Sequence, residues 1–282
     1  MMPVQEWIDD PDEPEIALEG GDVTEDLVRR GATIRRPYGD HSRLVRQLLR
    51  HLESVGFNGA PRFLGVDSAG REVLTFIEGE VAGRPRPEWI ADEDRLVSVA
   101  RLVRAYDDAA AGFGLPDNLL PAPAQPAGLP PGPSAPPELI GHQDVTPENV
   151  VFRDGEAFAL IDFDLARPAT RVMEVLNVML WWGPFGADED LDPLMRGLDI
   201  PRRGGLIADA YGLSAKDRGQ LVEVAILQNR RAWHLMKHRA ETMGGGWRRM
   251  WDEGVGDIIH RRQTWLEHNT TVINKALQSP TR

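Results

Sequence analysis

The 282-residue sequence predicts an α+β fold of two unequal lobes, a small amino-terminal one with an antiparallel sheet plus one helix and a larger, mainly helical one. Three features lead there. Up to residue 79 the apolar runs are short, β-prone and punctuated by glycine turns. Beyond residue 85 they lengthen and recur at helical spacing. Within the larger lobe lies one tight apolar hairpin, Val150 to Ile161, flanked by acids and an Asn.

Residues 1–14 read as a loose acidic arm, residues 15–79 as the small lobe and residues 80–282 as the large one. The first 28 residues hold ten acids and no base, with Pro11 and Pro14 breaking any regular start. From Ile16 the pieces Ile16–Leu18, Asp26–Arg29 and Ala32–Arg36 alternate with Gly20-Gly21 and Gly31, which spells a meander of strands and turns. Gly20 and Gly21 are candidates for a phosphate cover, because backbone N–H groups can approach an anion where no Cβ intrudes; the alternative is an ordinary hairpin. Leu44, Val45, Leu48, Leu49, Leu52 and Val55 then recur at helical spacing, with Gly56 as the stop. Residues 61–66 and 72–77 supply two further strands around the turn Asp67-Ser68-Ala69-Gly70, giving five strands and one helix. Phe76, Ile77 and Glu78 close this lobe as a hinge whose backbone groups could pair with a purine edge.

The large lobe opens with a helix carrying Leu96, Val99, Ala100, Val103 and Tyr106 on one face. Residues 116–137 contain nine prolines, so no helix or central strand can form and the segment should run over the surface. After the hairpin, a helix through Val172, Val175, Leu176, Met179 and Leu180 ends at Trp181-Trp182-Gly183-Pro184, with the tryptophans as core or cleft wall. Asp188-Glu189-Asp190-Leu191-Asp192 reads as a loop, solvated surface or a dock for an amine-bearing ligand. Ser214 and Asp217 cap a helix that includes Leu221, Val224, Ala225, Leu235 and Met236, and a last helix follows the break at Gly244-Gly245-Gly246.

Composition narrows the classes. There is no cysteine, which removes disulfide frameworks and thiolate chemistry and agrees with a reducing, cytoplasmic setting. No run of about eighteen apolar residues predicts a membrane span. A net charge of -12 argues against nucleic acid or an anionic membrane as partner, and would steer a cationic small molecule favourably.

The chemistry concentrates in His142-Gln143-Asp144-Val145-Thr146-Pro147-Glu148-Asn149, followed by Ile161-Asp162-Phe163-Asp164. An Asp, an Asn five residues on, and a second Asp after an apolar hairpin form the set that phosphoryl transfer requires. Asp144 would accept a proton, and Asn149 and Asp162 would hold Mg²⁺ through hard oxygen ligands. His142 is expected to orient the loop by bonding backbone. In these residues the chain resembles the aminoglycoside phosphotransferase family, small-molecule kinases that share the protein-kinase fold. Their loop usually reads H-G-D-x-x-x-x-N and their metal segment I-D-W or I-D-F. Gln143 stands in place of the usual Gly, an exchange that expects a backbone outside positive φ.

The resemblance implies Mg²⁺-dependent transfer of the γ-phosphoryl of ATP or GTP to a hydroxyl of an antibiotic or metabolite. It also implies a phosphate-gripping base on the third strand. No Lys precedes Lys216, so an Arg must serve, and the Thr33-Ile34-Arg35 spacing selects Arg35 over Arg36. The following helix offers no acid between His41 and Leu52 to pair with it. The alternative is a catalytically weak or inactive nucleotide-binding scaffold on the same fold.

Overall fold

The computed structural model describes residues 6–8, 13–18, 27–39, 41–116 and 126–279. Its amino-terminal part is a five-stranded antiparallel sheet in the order β1-β2-β3-β5-β4. The strands are β1 (Ile16–Ala17), β2 (Val28–Arg30), β3 (Thr33–Arg36), β4 (Phe63–Val66) and β5 (Glu72–Thr75), with helix α1 (Ser42–Ser54) between β3 and β4. Leu44, Val45, Leu48, Leu49 and Leu52 bury one face of α1, as their spacing requires. Within the stretch expected to be a loose arm, the described residues correct the expectation. The Trp7 N–H donates to the Val66 carbonyl at 2.8 Å, so the chain lies along the outer edge of β4 and occupies its open hydrogen-bonding groups.

The remainder holds α2 (Glu93–Ala111), α3 (Arg171–Trp181), α4 (Ile200–Tyr211), α5 (Ala215–Thr242), α6 (Gly245–Asp252) and α7 (Val255–Gln278). Two small two-stranded ladders lie among them: β6 (Leu139–Gly141) with β9 (Arg167–Ala169), and β7 (Val150–Arg153) with β8 (Glu156–Leu160). The hairpin between β7 and β8 turns at Asp154 and Gly155, both with positive φ, as a tight two-residue turn demands. Helix α4 was not legible in the sequence. It has Pro201 in its first turn and Gly204-Gly205 in its interior, and it forms because Ile200, Ile207, Ala208 and Tyr211 find a core to bury in. Gly204 itself lies against Phe185, where any larger residue would meet the ring. Among the described residues of 116–137 there is no helix or strand, in line with the proline content. No described helix is long and apolar enough to cross a membrane.

One contact joins the hinge to the hairpin. Glu80 and Phe152 exchange backbone hydrogen bonds of 2.9 and 2.7 Å, and the Arg153 Nε donates to the Glu78 carbonyl at 2.8 Å. Gly79, between them, has φ +151, and a Cβ there would stand 2.5 Å from the Phe152 carbonyl oxygen. Gly79→Ala should therefore push the hinge off the hairpin and destabilise the protein by about 1–3 kcal/mol, the usual cost of overpacking. A urea-unfolding midpoint equal to that of the parent would refute the close approach.

Candidate active site

β6 delivers the chain to His142, and the loop runs through one 3₁₀ turn at Pro147–Asn149 into β7. His142 is fully buried and its Nε2 lies 3.0 Å from the Ile161 carbonyl. A carbonyl can only accept, so the imidazole carries its proton on Nε2 and Nδ1 accepts from the Asp144 N–H at 3.3 Å. Burial holds the ring neutral, with its pKa pushed down to about 4. The Ile161 N–H meanwhile donates to the Asn149 carbonyl at 2.9 Å. His142 and Ile161 thus tie the loop to the metal segment from both sides, and Asp144, Asn149 and Asp162 converge.

Gln143 takes φ 61, so the backbone does enter the left-handed region that the Gly-to-Gln exchange was expected to avoid. The reason is a buried carboxylate. Glu174 on α3, fully buried, accepts from the backbone N–H of His142 at 3.0 Å and of Gln143 at 3.2 Å. It also accepts from the Gln143 side-chain NH₂ at 2.5 Å, while the Gln143 side-chain oxygen Oε1 accepts from Arg167 at 2.9 Å. Asn177, one turn along the same helix, accepts from the Val145 N–H at 2.6 Å and donates to the Gln143 carbonyl at 3.2 Å. Trp182 Nε1 donates to the Val145 carbonyl at 2.9 Å, which places this tryptophan in the core. Sequence reasoning passed over Glu174 and Asn177; their signal was a polar pair on the otherwise apolar stripe of Val172, Val175, Val178 and Met179.

The Asn149 side-chain amide donates to Asp144 Oδ2 at 2.9 Å, which fixes the carboxylate and leaves the amide oxygen of Asn149 for a cation. Burial, with the charges of Asp162 and Glu148 beside it, pushes the Asp144 carboxyl up to about 7. Burial and Asp164 likewise raise the Asp162 carboxyl. Asp162 itself sits at φ 58, a strained conformation for a residue with a side chain. The Asp162 carboxylate and the neutral amide oxygen of Asn149 are hard oxygen donors that fit Mg²⁺, with the Asp144 carboxylate beside them. Among the described residues no group of three or more His, Asp or Glu could hold a metal, so phosphate and water oxygens would complete the shell.

On β3 the two arginines part. Arg35 is buried against Thr33, whose hydroxyl accepts from Nη1 at 2.5 Å, and its Nε lies 3.7 Å from Asp67 in the β4–β5 turn. The arginine that reaches the metal segment is Arg36, in place of the expected Arg35. Arg36 pairs with Asp164 through Nη2 and with Glu72 through Nε at 3.4 Å. The acid expected on α1 and missing there is thus supplied by β5, where Glu72 stands opposite Arg36 in the ladder and also receives Arg46 of α1 at 3.1 Å. His41 lies 3.1 Å from the same Asp164.

Of the hinge residues, the Phe76 N–H donates to the Ala32 carbonyl at 2.8 Å, and its ring lies under the Arg29 guanidinium at 3.7 Å. Glu78 pairs with Arg29 at 2.6 Å. Ile77, between them, makes no backbone hydrogen bond among the described residues. Gly20 and Gly21 lie outside the described residues.

Next to the loop, reaching it at Pro147, is a cavity of about 550 Å³ walled by Trp181, Phe185, Met195 and Ile258. The acidic run 188–192 borders it, yet each acid is engaged within the chain. Asp188 accepts from the Gly197 N–H at 3.1 Å and Asp192 from the Leu194 N–H at 2.9 Å. Arg261 takes both Asp190, at 2.8 Å, and Glu189, at 3.1 Å.

The model of a family described as the phosphotransferase enzyme family matches residues 85–207, the stretch that holds the loop and metal segment. Over 217 residues, 75% of this chain and 79% of the relative, the sequence is 36% identical to the trifolitoxin immunity protein of Rhizobium leguminosarum bv. trifolii. The chain belongs to this phosphotransferase family. Its fold is shared by a choline/ethanolamine kinase family protein from Mesorhizobium loti, with TM-score 0.55 and 16% identity over 94% of this chain and 92% of that one. An amicoumacin kinase in complex with AMP-PNP, Ca²⁺ and Ami has TM-score 0.54 and 12% identity over 94% of this chain and 88% of that one. The protein is a phosphotransferase-family member of protein-kinase-like fold.

The depressed pKa of His142 has a stability consequence. Between about 4 and 6.5 the unfolded chain binds a proton that the folded chain refuses, so this residue costs stability as pH falls through that window. The destabilisation caused by His142→Gln should accordingly shrink by about 2 kcal/mol between pH 7 and pH 5. Paired thermal melts of parent and variant at the two pH values measure it, and a pH-independent difference would contradict a buried neutral ring.

Proposed function

We propose that this phosphotransferase moves the γ-phosphoryl group of ATP or GTP, with Mg²⁺, to a hydroxyl of a small molecule that is toxic or metabolic. The observation that carries this reading is the Asn149 amide clamped on Asp144 while both stand beside Asp162. Asp144 takes the proton as the acceptor O–H breaks; the new O–P bond forms, the P–O bond to the β-phosphate breaks, and a nucleoside diphosphate leaves. A carboxyl whose pKa is raised toward neutrality suits that proton, since a base works best near the operating pH. Asn149 and Asp162 would hold Mg²⁺, which supplies charge neutralisation between the phosphates. Arg36 would grip the phosphates with a guanidinium whose forked donors can serve an acid and a phosphate oxygen together. Phe76, Ile77 and Glu78 would face the base, with the Ile77 backbone as the pairing edge. The link to the immunity protein suggests that phosphorylation disarms a toxic acceptor.

Asp144→Asn should lower transfer by about 10² to 10⁴ with nucleotide affinity nearly unchanged. Asp162→Ala should instead abolish the Mg²⁺ dependence of nucleotide binding in calorimetry. Parent-rate transfer by the first variant, or unchanged Mg²⁺ dependence in the second, would remove that residue from its role. Arg36→Ala should weaken ATP and GTP binding by about 1.5–3 kcal/mol, and Arg35→Ala by clearly less. The reverse order would return the grip to Arg35. A parent protein that binds neither nucleotide at millimolar concentration with Mg²⁺ would favour the inactive scaffold.

A further inference from the structure

The cavity beside the catalytic loop has an unusual base. Arg262 of α7 lines it and makes no hydrogen bond among the described residues. Its Nε is sealed from solvent beneath Gly186, where an added Cβ would lie 4.0 Å from that nitrogen. Arg261, its neighbour in sequence, takes Asp190 and Glu189, so the acids that could have paired with Arg262 are already engaged; Asp190 attracts it only through space. Burial lowers the pKa of Arg262 to about 10, which still leaves the guanidinium charged at neutral pH. Among the other residues that line the cavity, Arg84 and Arg86 both pair with Glu148, at 2.9 Å each, and Arg196 donates to the Leu191 carbonyl at 3.1 Å.

Arg262 is half-buried, with its Nε sealed and no hydrogen bond from its guanidinium to a described residue, and what satisfies such a fork of donors is a carboxylate or another oxyanion. We propose that the acceptor of this enzyme carries a carboxylate which docks on Arg262, with its hydroxyl directed along the cavity to the loop at Pro147. An acceptor of this class is anionic or zwitterionic, in contrast to the cationic one that the net charge would steer. Trp181, Phe185 and Ile258 would enclose the apolar body between the two polar ends. This inference rests on the phosphotransferase reading for the hydroxyl end alone.

The test is calorimetric binding of 4-(hydroxymethyl)benzoate and its uncharged amide, 4-(hydroxymethyl)benzamide, to the full chain. The carboxylate should bind about tenfold or more tightly than the amide, the worth of one charge-assisted hydrogen-bond pair. Arg262→Gln should bring the two ligands within about twofold of each other, while Arg262→Lys keeps part of the preference as a point charge. An amide bound as well as the carboxylate, no binding of either at millimolar concentration, or a preference that survives R262Q overturns the proposal. The preference in the parent protein decides the matter even if R262Q fails to fold. Nucleotide binding by the Asp162 and Arg36 variants is read separately, so failure at Arg262 and failure of the phosphotransferase reading are distinguishable.

Discussion

The catalytic loop depends on one buried carboxylate. Glu174 sits in an otherwise apolar interior, where burial raises its pKa and disfavours its charge, and three hydrogen bonds from His142 and Gln143 offset that cost. In return the loop is held in a conformation that Gln143, with φ 61, would not adopt by itself. Gly141 belongs to the same arrangement, because a Cβ there would collide with the Glu174 carboxylate. Removing Glu174 would leave two buried backbone N–H groups unsatisfied at the place where the reacting residues are positioned.

Charge is handled differently between the sheet and the segment that carries Asp162. Arg36, Arg46, Glu72, Asp164 and His41 form a connected set between the sheet, α1 and the metal segment. Each member is worth little as an isolated contact, but the set couples the sheet to Asp162, two residues before Asp164. The strand-to-strand pair of Arg36 with Glu72 takes the position in the network that a helix-borne acid would otherwise hold. The lack of an acid on α1 is therefore no sign of an unpaired base.

The cavity beside the loop shows the same economy of pairing. Arg261 and Arg262 are adjacent in sequence yet meet different surroundings, because successive residues of a helix point about 100° apart. One faces the acidic run and is neutralised; the other faces the cavity and keeps its charge available.

The fold class, the five strands with one helix, and the convergence of Asp144, Asn149 and Asp162 were legible in the sequence. Each rests on local information: period-two and helical spacing, turn residues, and a motif whose members lie within some twenty positions. Helix α4 was hidden because its glycines and proline oppose helix locally, and only burial against Phe185 and the core overrides them. The choice between Arg35 and Arg36 was equally beyond local reading. Neighbours on a strand face opposite ways, and which face meets the metal segment is set by pairing with β5 and by the docking of α1. The sequence by itself determined which side chains are present to do the chemistry. Only the tertiary structure decided which buried acid holds the loop, which arginine reaches the site and which one is left facing the cavity, because those outcomes depend on partners far apart along the chain.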